Sequence, residues 1–156
     1  MVNVIEYLIQ NNIQYVIHEH KAVFTTKEAD EIKDIPGLAC KNLFLKSKKA
    51  DSYFLVIIPA SEKMDLKGFG EKINEKKLTF GSKEDMLKLL GVEPGSVSPF
   101  GLLNDKDYLI NVYISKIVYD AEIVGFHPNR NTATVELTKE MFHKYLSKLS
   151  NPIHTF

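Results

Sequence analysis

Three short polar runs break an otherwise apolar sequence, and each carries side chains able to hold or activate a ligand. In "CKNLFL", Lys41 and Asn42 stand at the head of a strand that continues Leu43, Phe44 and Leu45. The lysine supplies a point charge suited to a phosphate or a carbonyl oxygen, and the asparagine donates and accepts at once. A lysine in such a place also commonly does no more than reach solvent. In "GVEPGSVSPFG", residues 91–101, Gly95 and Gly101 permit positive φ while Pro94 and Pro99 stiffen the path. Such a loop either turns backbone N–H groups toward a ligand or merely joins a helix to a strand. Its length and rigidity favour the first. The third run, "GFHPNRNTATVEL" (125–137), puts His127, Pro128, Asn129 and the one arginine, Arg130, ahead of an alternating strand from Thr132 to Leu137. His127 there is a general base, a hydrogen-bond donor to a carbonyl, or simply half-buried; taken alone, the last is the commonest.

Other constellations are weaker. His18 and His20 in "HEH" fall on one strand face as a metal pair would, but no third ligand follows at a recognisable spacing. Cys40 beside Lys41 needs a paired histidine to act as a nucleophile. Ser96, His127 and several aspartates could compose a triad, yet no nucleophile elbow is present, and the P-loop and dinucleotide fingerprints are absent.

The elements that must position these residues follow from periodicity and caps. Val4, Ile5, Leu8 and Ile9 make a helical stripe stopped by Asn11-Asn12, and "QYVIHEH" alternates as a strand. Thr25 with Glu28 forms a capping box for a second short helix. A turn at Pro36-Gly37 leads to a strand through Asn42 to Lys46, then a wholly apolar and doubly buried strand from Tyr53 to Ile58. "DLKGFGEKIN" is a glycine-weakened helix, "KLTF" a short strand, and "SKEDMLKLLG" a helix with Ser82 as N-cap and Gly91 as terminator. The stretch 92–104 reads as a long ordered loop and "YLINVYI" as a buried strand. "SKIVYDAE" reads as a plain connection and "TKEMFHKYLSKL" as the final helix. Strands outnumber long helices without strict alternation, so the class is α+β with a mixed sheet.

Composition bounds the rest. A chain of 156 residues, 44% hydrophobic and 26% charged, fits one globular domain over residues 1–156. Its formal net charge of zero argues against a bulk electrostatic grip on long nucleic acid. The single cysteine excludes an internal disulfide and suits a reducing cytosol. With no transmembrane-length apolar run and no signal-peptide start, a cytoplasmic protein with no membrane association is expected. The 19 lysines against one arginine are read as nucleotide bias in the genome.

"KNLFL", "GSVSPFG" and "GFHPNxNTATVEL" in this order, preceded by "HKAVFTTKEAD", resemble the YbaK/ProX family of aminoacyl-tRNA deacylases. They are most similar to its free-standing alanyl-tRNA(Pro) editing branch, and the likeness runs from about His18 to Leu149. The resemblance implies one compact α+β domain with a mixed, mostly antiparallel, barrel-like sheet flanked by helices. It implies trans-editing of Ala-tRNA(Pro), in which a second site hydrolyses an ester that the synthetase's proline pocket could not reject.

Carried over residue by residue, the resemblance gives Lys41 the terminal adenosine and its phosphate, and Asn42 the sugar or aminoacyl group. The loop Gly95, Ser96, Val97, Ser98, Pro99 grips the carbonyl and positions water, with Ser96 adding a hydroxyl. His127 shapes the amino-acid pocket, supported by Asn129, and Phe24 with Thr25 or Thr26 lines it. Water attacks directly, assisted by a free ribose hydroxyl, with no cofactor, metal or acyl-enzyme. Partners are the acceptor end of aminoacylated tRNA, tRNA(Pro) in particular, and prolyl-tRNA synthetase, with the chain a monomer. The competing readings are a deacylase for Cys-tRNA(Pro) or for Ser/Thr esters, a non-catalytic tRNA- or protein-binding module, and an unrelated hydrolase with its own nucleophile. On this reading the first half of 125–137 is site wall, the second half its support, and Arg130 faces tRNA or solvent.

Overall fold

Caps and apolar spacing place the helices where the sequence asks for them. The computed structural model describes residues 1–22, 35–48 and 51–156. The expected capping-box helix, with Phe24, Thr25 and Thr26, lies outside the described residues. Helix α1 (Val4–Gln10) starts at Asn3, whose side chain accepts from the Glu6 N–H, and buries Val4 and Leu8. Helix α2 (Leu66–Lys72) is capped by Asp65 and α3 (Lys83–Leu89) by Ser82; Gly91 then leaves with φ 68°. Helix α4 is Lys116–Asp120, and α5 (Lys139–Ser147) is capped by Thr138.

The strands among the described residues are β1 (Val16–Glu19), β2 (Leu38–Ser47), β3 (Tyr53–Pro59) and β4 (Leu78–Phe80). They continue as β5 (Ile110–Ile114), β6 (Ile123–Phe126), β7 (Ala133–Thr138) and β8 (Ile153–Thr155). They form one mixed sheet in the order β1-β7-β6-β2-β3-β5-β8, with β4 also on β2. The β1/β7, β6/β7, β2/β3 and β2/β4 pairs are antiparallel; β2/β6, β3/β5 and β5/β8 are parallel. The expected mixed, mostly antiparallel sheet flanked by helices is therefore present.

Several readings are corrected. The stretch 92–104 is not all loop: Ser98 accepts from the Phe100 N–H and starts a 3₁₀ helix, Pro99–Asn104, with proline preset at its first position. The connection 115–122 contains α4, whose N-cap Ser115 competes successfully with the two β-branched residues that follow. The terminal "IHT" adds β8 as a parallel edge, which its short length and polar residues concealed.

The most consequential correction is in β2, which begins four residues before the expected start at Asn42. Lys41 and Asn42 are thus mid-strand, opposite Ile58 and Ile57 of β3. On its other edge β2 pairs with β6 at Leu38 and Ala39 and with β4 from Leu45 to Ser47. Between these partners, residues 40–43 have a neighbouring strand on one side only, among the described residues. One face of the sheet packs the main core, including Phe44, Leu55, Val112, Val124, Val135, Phe142 and Tyr145. The opposite face has two unlike halves. On β2–β3–β5, Leu45, Phe54, Val56 and Ile58 form a small apolar cluster closed by Phe69 of α2. On β1–β7–β6, cross-strand register puts His18, Thr134, Glu136, Gly125 and Ala39 on that same face.

Candidate active site

The site lies where β2 and β6 part. They are paired at Ala39↔Gly125 and then diverge, and a cavity of about 150 Å³ opens in the wedge. Its walls are Leu38, Ala39, Cys40 and Asn42 of β2, Gly125 and Phe126 of β6, His127 just beyond, Thr134 of β7, and the turn at residues 35–37. Gly37 makes that turn with φ 99°, and a side chain there would run into the Ile123 backbone carbonyl, so the tight entry to β2 requires glycine. A cavity of this size holds a small organic group.

Asn42, His127 and Thr134 are its polar side chains. The Asn42 amide oxygen is buried and has no hydrogen-bond partner among the described residues. An orphaned buried acceptor is rare and costly, and it gains most from a ligand that donates. The His127 Nδ1–H donates to the Ala133 carbonyl at 2.8 Å. Because a carbonyl only accepts, this bond fixes the neutral tautomer and leaves the Nε2 lone pair as the available ring atom. Burial pushes the His127 pKa below the ordinary histidine value; the bond to Ala133 partly opposes this, and His20 adds to the lowering. His127 is accordingly neutral near pH 7. His127 is half-buried, as expected for it taken alone, and its ring is held with an acceptor nitrogen beside a cavity.

Lys41 is not among the cavity walls. Alternation from Ala39 places its side chain on the outer face, two residues beyond the Ala39↔Gly125 pair. It is half-buried, and no ion pair claims its ammonium among the described residues. Cys40 is a wall residue but not a nucleophile. Burial pushes its thiol up to about 12, and its S–H faces the Leu38 carbonyl at 3.5 Å.

The 95–99 loop reaches this site through the turn after His127. Asn129 adopts φ 60°, which asparagine tolerates, and its amide oxygen accepts from the Ser98 hydroxyl at 3.1 Å. Its amide nitrogen donates to the Phe100 carbonyl at 3.4 Å. Ser98 is fully buried and its hydroxyl is spent on Asn129 and on the Phe100 N–H. Pro99 is pinned by the Tyr145 hydroxyl, which donates to its carbonyl at 2.7 Å. Val97 packs on the main core, and Gly95 turns with φ 92° ahead of the buried Ser96. Ser98 and Asn129 are thus framework for the site, joining loop to turn. Arg130 is exposed, as expected, and there it grips the exposed Glu19 with two bonds of 2.8 and 2.9 Å.

Residues 20–145 match the family described as the aminoacyl-tRNA editing domain. The chain belongs to that family. It is 37% identical over 150 residues to the prolyl-tRNA editing protein ProX of Acetoanaerobium sticklandii, covering 95% of this chain and 91% of that one. It is 32% identical over 146 residues to the prolyl-tRNA synthetase associated domain-containing protein 1 of Xenopus laevis, covering 91% and 87%. Among solved structures, one described as a candidate trans-editing enzyme for prolyl tRNA synthetase superposes with a TM-score of 0.73 at 19% identity, over 97% of this chain and 92% of that chain. That likeness concerns the fold. Family membership makes the chain an aminoacyl-tRNA deacylase, an enzyme whose substrate is an aminoacylated tRNA.

Sequence reasoning left out Cys40, Gly125 and Thr134 as walls, and His20 behind them. Thr134 belongs to the half of 125–137 read as support only, so that half is wall as well. The signal was present in the alternation Gly125, His127 along and just past β6 and Thr132, Thr134, Glu136 leading into and along β7, which places small and polar residues on one face. The pair His18 and His20 shares that face as expected. His18 Nε2 lies 3.0 Å from Glu136 and His20 Nε2 lies 2.9 Å from Thr134, so each ring is occupied by a strand partner. Among the described residues no group of three metal-ligating side chains forms, and no helix is long and apolar enough to cross a membrane.

Proposed function

We propose that the chain is a cytoplasmic trans-editing deacylase that clears errors of prolyl-tRNA synthetase by hydrolysing Ala-tRNA(Pro), acting as a monomer on the acceptor end. The observation that carries this reading is the cavity, small enough for an aminoacyl group, whose wall holds an unsatisfied acceptor on Asn42 and an acceptor nitrogen on His127. An aminoacyl ester brings an α-ammonium donor that satisfies the Asn42 oxygen. The amino-acid side chain lies against Cys40, Gly125 and Thr134. Lys41, on the outer face beside this cavity, holds the phosphate of the terminal adenosine as a point charge. The anchored 95–99 backbone faces the ester carbonyl and orders the attacking water.

Water adds to the carbonyl carbon, the bond from that carbon to the ribose oxygen breaks, and a proton passes to the ribose oxygen. A neighbouring ribose hydroxyl relays that proton. Free alanine and tRNA leave. The high pKa of the Cys40 thiol supports water over a protein thiolate as the nucleophile. The cavity's volume also admits a cysteinyl group, which makes Cys-tRNA(Pro) the second substrate to consider. Ala-, Cys-, Ser- and Pro-tRNA(Pro) incubated separately with the protein decide the matter by loss of ester. Rapid loss of the alanyl ester with sparing of the prolyl ester is expected. Intact esters on all four would leave a binding module in place of an enzyme.

A further inference from the structure

The inner wall of the cavity is set by a contact between two strands that the reaction itself does not use. Thr134 lines the cavity, and its hydroxyl lies 2.9 Å from His20 Nε2. His20 is itself fixed: its backbone N–H donates to the Thr132 carbonyl at 2.9 Å and its Nδ1–H to the Lys21 carbonyl at 2.8 Å. With Nδ1 held by the Lys21 carbonyl, the contact to Nε2 keeps the threonine hydroxyl on the imidazole side. A β-branched side chain has few χ1 choices, and this bond selects one of them. The methyl group then lies on the other side, over Gly125. A Cβ built on Gly125 would come 3.0 Å from Thr134 Cγ2. His20 also sits edge-on to His127, with ring centroids 6.0 Å apart.

We propose that Thr134 is a specificity-determining residue of this site and that His20 is its positioning residue, turning the threonine so that its methyl and not its hydroxyl meets the substrate's side chain. This rests on the deacylase reading and adds which side chains the cavity accepts. The methyl over Gly125 limits the depth available to the acyl group. The sequestered hydroxyl leaves that wall without a polar group for a seryl side chain to pair with. The site therefore takes small, wholly apolar acyl groups and discriminates against both larger and hydroxylated ones. Differences of one methyl group or one unmatched hydroxyl are worth about tenfold or more in kcat/KM.

The test is the ratio of kcat/KM values on alanyl, seryl and prolyl esters of one tRNA, for wild type, Thr134→Ser, His20→Ala and His20→Gln. Thr134→Ser keeps the bond to His20 and removes the methyl, so the prolyl-to-alanyl ratio rises about tenfold. His20→Ala frees the Thr134 hydroxyl to turn into the cavity, so the seryl-to-alanyl ratio rises about tenfold. His20→Gln restores an acceptor and returns that ratio toward wild type. Thermal melts confirm folding; if His20→Ala does not fold, Thr134→Ser and His20→Gln carry the comparison. Parallel losses on all three esters with ratios unchanged would overturn this proposal while leaving the deacylase reading intact. No turnover by the wild-type protein on any ester would remove both.

Discussion

The outer face of the sheet carries two halves built by the same alternation and put to different uses. On β2–β3–β5 its outward residues are Leu45, Phe54, Val56 and Ile58, and α2 closes them with Phe69, which meets Tyr113 edge-on and Phe156 at ring distances of 5.4 and 5.2 Å. On β1–β7–β6 the equivalent positions are His18, His20, Gly125, Thr134 and Glu136, and the described residues leave a cavity there instead of a packed layer. Apolar area removed from water stabilises the first half. The second half spends its hydrogen bonds on fixing orientations, with His127 to Ala133 and Thr134 to His20, and the unsatisfied Asn42 lines the same cavity from β2, on the face opposite Lys41. Stability and chemistry are thus divided along β2, and Lys41 sits at the boundary.

Substitutions should separate the halves. Phe69→Ala removes the lid of the closed half and should cost about 3–5 kcal/mol of unfolding free energy, read by denaturant titration. At a temperature where the variant stays folded, its kcat/KM on Ala-tRNA(Pro) should remain near wild type. A large loss there would mean the halves are not separable. Lys41→Ala should do the reverse. Its side chain fills no core, so the melting curve should hardly move, while deacylation should fall at least about 100-fold, equivalent to about 2.7 kcal/mol of barrier. A wild-type rate would show that the charge is not used.

Ser98→Ala tests the framework between them. It leaves the Phe100 N–H and the Asn129 amide oxygen without a partner, at a cost of about 1–2 kcal/mol. Because the loop then loses its tie to the turn after His127, activity should drop by more than the Phe69 variant shows.

The smallest effect concerns acid pH. His127 is neutral in the fold with a pKa below the ordinary histidine value, so the unfolded chain takes up its proton first as pH falls. Stability should therefore decline as pH drops through the ordinary histidine range toward the depressed value, and His127→Gln should flatten that decline in pH-dependent melts. Unchanged slopes would place the acid sensitivity elsewhere.

How much of this the sequence carried depends on distance along the chain. Caps and stripes are local, so Asn3, Asp65, Ser82 and Thr138 mark their helices at once. The early start of β2 was hidden because Leu38 and Ala39 pair with β6, more than 80 residues away. Lys41, Asn42 and His127 were legible as polar interruptions. Thr134 and His20 were not, because their meaning is a contact between β1 and β7 that no spacing within one strand records. The ion pair of the exposed Arg130 was hidden for the same reason: its partner, Glu19, lies on a strand 111 residues earlier. Asn129, expected beside the substrate, looked the same in sequence as Asn42, and only the fold distinguishes a satisfied amide from an orphaned one.

On the proposed reading, the cavity in the wedge between β2 and β6 binds the aminoacyl end of the substrate. This binding is tested most directly by nuclear magnetic resonance titration with 3′-alanylamido-3′-deoxyadenosine, in which an amide replaces the labile ester. The account predicts saturable shifts of the Asn42 side-chain amide, the His127 ring and the Thr134 backbone amide, with Phe69, Tyr113 and Phe156 unmoved. Shifts confined to that aromatic cluster, or none at the cavity at saturating analogue, would contradict it.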